Sequence, residues 1–301
     1  MPDARRQSFA MLPGMSKKPS VAIVGAGNLA AALATSLRQA GYEIDAVISR
    51  SRGASLRNAR SLAGEVDAYA SVGTPASLRA EIVWFCVPDA EIARAGRLLA
   101  GKIEWKGKVA LHSSGALTSD ELGSLRERGA AVASVHPLMT FVRGSRPPLA
   151  GVPFAIEGDA TAERVARRVV KNLGGSVHSI RKEDKAAYHA WGTFASPLFT
   201  ALLATTERVA SAAGVNRKSA RRRMIPILLQ TLANYAAFGA ERGFSGPIIR
   251  GDVDTVKRHL RVLRREPGAR EVYLVLARAA LRYLPTKNKN SLKKLLDSES
   301  K

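Results

Sequence analysis

A single turn near the N-terminus constrains this chain more than any other feature. Val21-Ala22-Ile23-Val24 is a short apolar run rich in β-branched residues, and it leads directly into Gly25-Ala26-Gly27-Asn28-Leu29-Ala30. A strand, a G-x-G-x-x-A turn and a helix in that order have a physical purpose. Gly25 permits the tight turn, Gly27 lets backbone approach a pyrophosphate, and Ala30 lets helix and strand pack closely. The helix N-terminus at Asn28, Leu29 and Ala30 offers free N–H groups and the positive end of the helix dipole. Because the motif follows a strand and opens a βαβ unit, it predicts a dinucleotide-binding site.

The chain beyond this turn keeps the same alternation. Short β-rich runs at Val21–Val24, Ile44–Ile48, Val66–Tyr69, Ile82–Val87, Val109–His112, Ala131–Val135, Phe154–Glu157 and Ser176–Ile180 alternate with helical spacing. The helices are expected at about 28–40, 53–63, 89–100, 118–128 and 160–173, the last closed by Leu173-Gly174-Gly175 as a glycine C-cap. This is the pattern of an α/β Rossmann-type doubly wound parallel sheet. From Lys182 onward no β-rich run occurs, and helices are expected at about 183–213, 217–242, 252–265 and 268–283. The expected organisation is a disordered extension over 1–18, a nucleotide-binding domain over 19–181, an all-helical substrate and dimerisation domain over 182–286, and a flexible tail over 287–301. Met11 or Met15 is an alternative start.

Composition narrows the function. One cysteine, Cys86, precludes an internal disulfide, and its place in Ile82-Val83-Trp84-Phe85-Cys86-Val87 reads as core. The first 18 residues lack the apolar stretch that export requires, so a cytoplasmic location is expected. The apolar region at about 186–213 contains Pro197, His189 and Glu207 and reads as a buried helix, not a membrane span. It also holds more apolar surface than a small helical domain buries alone, which points to a homodimer. The 47 Lys+Arg against 25 Asp+Glu give a formal charge of +22, a field that attracts polyanions. The basic residues are scattered, and the densest cluster, Arg217-Lys218 with Arg221-Arg222-Arg223, has no interleaved aromatics to stack on bases. Nucleic acid is therefore not the favoured partner.

The second strand selects the cofactor. NAD enzymes place an acid at its end for the ribose hydroxyls. Here it ends Ser49-Arg50-Ser51-Arg52, a cradle for a 2′-phosphate, so NADP is expected. Val87-Pro88-Asp89 ends the fourth strand, where ligands lie in this fold, so these three are expected to border the cofactor; N-capping of the next helix by Asp89 is the alternative and is compatible with that role. His112-Ser113-Ser114-Gly115 and His136-Pro137-Leu138-Met139-Thr140-Phe141 end later strands. In the segment opening the helical region, Lys185, His189, Thr193, Ser196 and Thr200 recur at steps of three and four, a polar stripe facing a cleft beside an apolar face of Ala187, Trp191, Phe194, Leu198 and Leu202. The five histidines show no ligand spacing, so no metal is expected.

The glycine motif, H-S-S-G, H-P-L-M-T-F, K-x-x-Y-H and Gly246-Pro247-Ile248-Ile249-Arg250-Gly251-Asp252 occur in that order. Over about residues 18–285 the chain resembles a bacterial family of poorly characterised oxidoreductases, with a Rossmann-like NADP-binding domain and a helical domain of unknown function. That family is distantly similar to pyrroline-5-carboxylate reductase and to the β-hydroxyacid and 6-phosphogluconate dehydrogenases, whose C-terminal domain the helical part is expected to match. The resemblance implies that Lys185 and His189 stand where those cousins carry a catalytic lysine and, one turn on, an asparagine. It also implies Ser-Asn where this chain has Ser196-Pro197, which leaves position 197 without a role. The expected function is hydride transfer between NADPH and a small carbonyl or imine, with Lys185 or His189 giving the proton. Ser113, Ser114, His136 and Ser196 would orient the substrate and Arg250 would clamp an acidic group, while Asp252 caps a helix. The alternative is a non-catalytic NADP(H) sensor or scaffold; a basic nucleic-acid-associated protein ranks below it.

Overall fold

The computed structural model describes residues 18–73 and 78–299. The extension expected over 1–18 lies outside the described residues, Lys18 excepted. Contacts divide the chain into two compact units, the first ending at Gly192 and the second starting at Thr193.

The first unit runs β1 (Val21–Val24), α1 (Asn28–Gln39), β2 (Ile44–Ser49), α2 (Ala54–Glu65), β3 (Tyr69–Val72), β4 (Ile82–Phe85), α3 (Asp89–Ala100), β5 (Val109–His112), a 3-10 turn (Ser119–Leu122), α4 (Gly123–Arg126), β6 (Ala131–Pro137), β7 (Pro153–Gly158), α5 (Ala160–Asn172), β8 (Ser176–Ser179), a second 3-10 turn (Lys182–Asp184) and α6 (Lys185–Thr193). The strands form one eight-stranded sheet in the order β3-β2-β1-β4-β5-β6-β7-β8. Its central strands are apolar on both faces because both are covered. Val21 and Ile23 of β1 join one core with Leu33, Leu37, Trp84 and Leu111, whereas Ala22 and Val24 join another with Ile48, Val83, Phe85 and Ile92.

The sheet departs from the fully parallel pattern at one place, where β7 runs antiparallel to β6. No helix separates the two strands, and without a crossover the chain re-enters the sheet from the end it left. The third strand begins at Tyr69, where the sequence suggested Val66: Val66 caps α2, and Asp67 sits in the left-handed region at φ 55° before pairing starts. The helix expected over 118–128 is a 3-10 turn followed by one turn of α4. Glu157 accepts hydrogen bonds from both the N–H (2.6 Å) and the hydroxyl (2.9 Å) of Ser119, tying that first turn to the sheet. The glycine C-cap of α5 is present, with Gly174 at φ 76° and the Gly175 N–H bonded to the Val170 carbonyl at 3.0 Å.

The second unit comprises a π-turn (Phe194–Leu198), α7 (Phe199–Ala212), α8 (Arg217–Gly243), α9 (Pro247–Arg250), α10 (Val253–Leu263), α11 (Pro267–Tyr283) and α12 (Lys289–Ser298). The single helix expected over 183–213 is thus divided. Pro197 cannot donate the next helical bond, and the backbone widens to five-residue spacing around it. Nor is this region buried within its unit: α7 has no buried residue, and Phe194 is 72% exposed. The tail is a correction as well. Leu292 and Leu296 of α12, four residues apart, are buried against Val256, Leu260, Leu274 and Leu281. No helix among the described residues is long and apolar enough to cross a membrane.

Candidate functional site

Strands β1, β2, β4, β5 and β6 are mutually parallel, so their carboxyl ends share one edge of the sheet. The chain builds outward from β1 to β3 and then returns to place β4 on the other flank of β1, which makes β1 and β4 the switch point where such sheets open a crevice. Gly25 lies in that turn at φ 109°, and a Cβ there would stand 2.4 Å from the Cys86 carbonyl oxygen, so only glycine fits. Beyond Gly27 a Cβ would meet nothing within 4 Å, and α1 starts without a side-chain cap. Open space over an uncapped helix end is what a pyrophosphate requires. The Asn28 amide donates to the Phe141 carbonyl at 3.3 Å, which joins the glycine turn to the segment after β6.

Beside this turn lies a cavity of about 120 Å³, lined by Val24, Ile48, Val87, Leu98 and Leu99, with Arg50 and Glu91 also in its wall. Its apolar walls suit the adenosine end of a dinucleotide. The residues expected to cradle a 2′-phosphate divide in behaviour. Ser49 is buried, and its hydroxyl donates to the Ser51 carbonyl at 3.0 Å, bracing the turn from within. Ser51 and Arg52 are exposed, and Arg50 pairs with Glu91 at 3.5 Å. Sequence reasoning missed Glu91, although it stands in the same first helical turn as Asp89. Asp89 itself does not cap α3. Pro88 takes the cap position, and the Asp89 carboxylate instead accepts the Ser114 hydroxyl at 2.8 Å.

Burial decides the chemistry of the segment after β5. His112 is fully buried, Nε2 lies 2.9 Å from the Thr118 carbonyl, and Nδ1 accepts the Ser114 N–H at 3.1 Å. Burial pushes its pKa down to about 4, so it is a neutral structural group. Ser113 accepts the Trp84 indole N–H at 2.8 Å. The Ser114 hydroxyl accepts from the Ala116 and Leu117 N–H groups while donating to Asp89, which leaves it a loop brace.

His136 ends up against α6. Its ring is edge-on to Tyr188 at 5.5 Å and to His189 at 6.1 Å between centroids. Burial, with the charges of Lys185 and His189 behind it, lowers the His136 pKa to about 4. Tyr188, to which the sequence assigned no role, is buried, and its hydroxyl is pushed up to about 12 by burial. His189 is exposed. Lys185 is not: it is 1% exposed, and its ammonium donates to the Ser114 carbonyl at 3.1 Å and to Ser134 Oγ at 2.7 Å. Burial lowers its pKa, opposed by the charges of Glu157 and Asp89. The polar stripe of α6 therefore begins buried at Lys185 and is exposed at His189 one turn on, and Ala187 and Trp191 of the apolar side are exposed as well.

Two family models match the sequence. A Rossmann-like domain model covers residues 13–137, and a domain of unknown function, DUF2520, covers 152–280. The chain pairs a Rossmann-like domain with DUF2520. No curated protein matches it. Solved structures do: a protein from Bacteroides fragilis provisionally described as an NADP oxidoreductase has a TM-score of 0.72 at 22% identity, over 87% of this chain and 98% of that one. A protein from Thermotoga maritima has a TM-score of 0.66 at 23% identity, over 93% and 100%. A reductive aminase from Aspergillus terreus in complex with NADPH has a TM-score of 0.62 at 15% identity, over 92% and 99%. At these identities the likeness establishes the fold.

The DUF2520 match begins in the first unit, at β7, and so includes Lys185, Tyr188 and His189 as well as the helices of the second unit. Within those helices Ser196 lies in the π-turn, half-buried, and its carbonyl accepts the Thr200 hydroxyl at 3.1 Å. Arg250 is exposed at the end of α9. Asp252 caps α10 as expected, accepting the Thr255 N–H at 3.0 Å, a bond that holds its carboxyl below the usual range.

Proposed function

We propose that the protein is an NADP(H)-dependent oxidoreductase acting on a small carbonyl or imine compound. The observation that carries this reading is the sharing of one sheet edge by two features: the open glycine turn before the uncapped α1, and the His136–His189 pair behind the β5 and β6 ends. The α1 N-terminus, Gly25, Gly27, Asn28, Leu29 and Ala30 hold the pyrophosphate, and Val87, Pro88 and Asp89 border the adjoining crevice. Ser49 shapes the turn from which Arg50, Ser51 and Arg52 reach the 2′-phosphate; Arg50 exchanges Glu91 for it. A bound nicotinamide supplies or accepts the hydride. The chain supplies the proton, from the Lys185–His189 turn of α6, and orients the substrate with Ser113 and His136, while Ser114 braces the loop beneath them. The likeness to a reductive aminase in complex with NADPH and ethyl-5-oxohexanoate supports the carbonyl and imine class.

Titration of the purified protein with NADPH and NADH tests the cofactor. NADPH is expected to bind at least about tenfold more tightly, the share of roughly one charge-assisted contact to the 2′-phosphate. Arg50→Ala is expected to erase that margin and leave NADH affinity unchanged. Equal affinity in the unaltered protein overturns the NADP assignment. Loss of NADPH absorbance on screening carbonyl compounds with amines tests turnover, and binding without turnover across the screen favours a sensor or scaffold.

A further inference from the structure

Lys185 presents a physical puzzle that a role as proton donor does not resolve. A buried ammonium is costly unless it is paired and hydrogen-bonded. Here its two hydrogen-bond acceptors are the Ser114 carbonyl and the Ser134 hydroxyl, neither of them a carboxylate. The Ser134 hydroxyl donates to the same Ser114 carbonyl at 3.1 Å. That carbonyl belongs to the Ser114–Gly115 peptide, so two donors from β6 and α6 converge on one peptide group. Gly115, the other residue of that peptide, is packed tightly: a Cβ there would lie 2.7 Å from His189 Cδ2 and 2.8 Å from His136 Nε2. The peptide that Lys185 grips is the floor on which the two imidazoles rest.

We infer that Lys185 is a positioning residue: its ammonium clamps the Ser114–Gly115 peptide so that bare backbone at Gly115 sets the spacing of His136 and His189. This rests on the reading that those imidazoles face the substrate, and it removes Lys185 from the candidates for proton donor, leaving His189. A side chain at position 115 would push the rings apart, so Gly115 is required for contact distance rather than for backbone freedom. Tyr188 completes the support. It is edge-on to His136, and its hydroxyl lies 3.4 Å from His136 Nδ1, which leaves Nε2 on the Gly115 side. The charged and titratable groups around His136 are Lys185, His189, His112 and Tyr188.

Two measurements on the full-length protein test this without a substrate. Reductive methylation with labelled formaldehyde reports which lysines reach solvent. Lys185 is expected to react at least about tenfold more slowly than the exposed lysines, with NADPH present or absent, because reaction needs local opening. Methylation at the surface rate in either condition overturns the proposal. Imidazole NMR of Lys185→Met is expected to show His136 and His189 resonances both displaced and the His136 pKa raised, since a neighbouring positive charge is gone. Gly115→Ala is expected to displace the same two rings while Lys185 stays protected. Unmoved His189 resonances in both variants also overturn the proposal. Should Lys185→Met fail to fold, the methylation result on unaltered protein still decides. NADPH affinity, measured on the same samples, separates failure of the clamp from failure of the cofactor reading.

Discussion

With its ring wholly enclosed, His112 uses both nitrogens in the neutral form, one toward the Thr118 carbonyl and one toward the Ser114 N–H. Protonation would turn the second bond into a clash of donors. His112 and His136 both have pKa values near 4, against 6.5 for a free ring. Between those values the unfolded chain binds protons that the native chain refuses. The stabilisation is therefore complete above pH 6.5 and is lost as pH falls toward 4, with a slope approaching about 1.4 kcal/mol per pH unit for each fully responding ring. Urea unfolding across that window is expected to show this loss, and His112→Asn is expected to flatten the slope by one ring's share. A stability independent of pH between 6.5 and 4 would contradict the neutral assignment. Gly25 carries the other prediction at this scale. Gly25→Ala forces a Cβ into the Cys86 carbonyl at a positive φ, so a loss of about 2 kcal/mol or more and loss of NADPH binding are expected, by thermal melts and titration.

Among the elements, α12 shows how a compositional impression of a tail can mislead. Lys289, Lys293 and Lys294 give the segment a solvated look, but Leu292, Leu295 and Leu296 recur at helical spacing, and that pattern was present in the sequence. What closes it is tertiary: Arg278 of α11 donates to the Leu296 carbonyl at 2.7 Å, and Arg270 pairs with Glu299. Leu292→Ala is expected to cost about 2–4 kcal/mol in chemical denaturation, the range for a buried leucine. An effect under about 0.5 kcal/mol, typical of surface changes, would mean α12 is not part of the core. The helices α1, α3 and α5 were legible for the same reason that α12 should have been. Helix α6 was legible as a helix, and its polar stripe was expected to face a cleft. That Lys185 is buried against the Ser114 and Ser134 acceptors while His189, one turn on, is exposed was not legible from spacing.

At the scale of the whole molecule, the second unit leaves apolar surface unburied. Over the length of α8 the buried residue is Ala220, whereas Ile227 is 68% and Leu229 63% exposed, with Leu232, Tyr235 and Phe238 also exposed along the same helix. The groove formed by Leu202, Val209, Val262, Leu263 and Leu276 is equally apolar and measures about 380 Å³. A chain carrying both a projecting apolar helix and an apolar groove is suited to pair with a second copy, against the repulsion of a +22 charge. A homodimer is expected by light scattering at micromolar concentration, and Leu229→Glu with Phe238→Glu is expected to shift it to monomer. A monomeric unaltered protein would contradict the pairing.

The glycine turn, the alternation of strand and helix and the change to all-helical texture near Lys182 were determined by the sequence itself, because each depends on local geometry. Gly25 needs its neighbours in the chain to make a turn, and the period of a strand or helix is written in adjacent residues. The use of Asp89 as an acceptor for Ser114 and the contact of His136 with Tyr188 and His189 involve residues tens of positions apart. No local pattern records them. The role of Lys185 belongs with these. Its residue type suggests a proton donor, and its spacing to His189 suggests a shared face. Whether its ammonium meets solvent or the Ser114 carbonyl is decided by how β5, β6 and α6 pack, since burial and the acceptors within reach determine what a charged group can do.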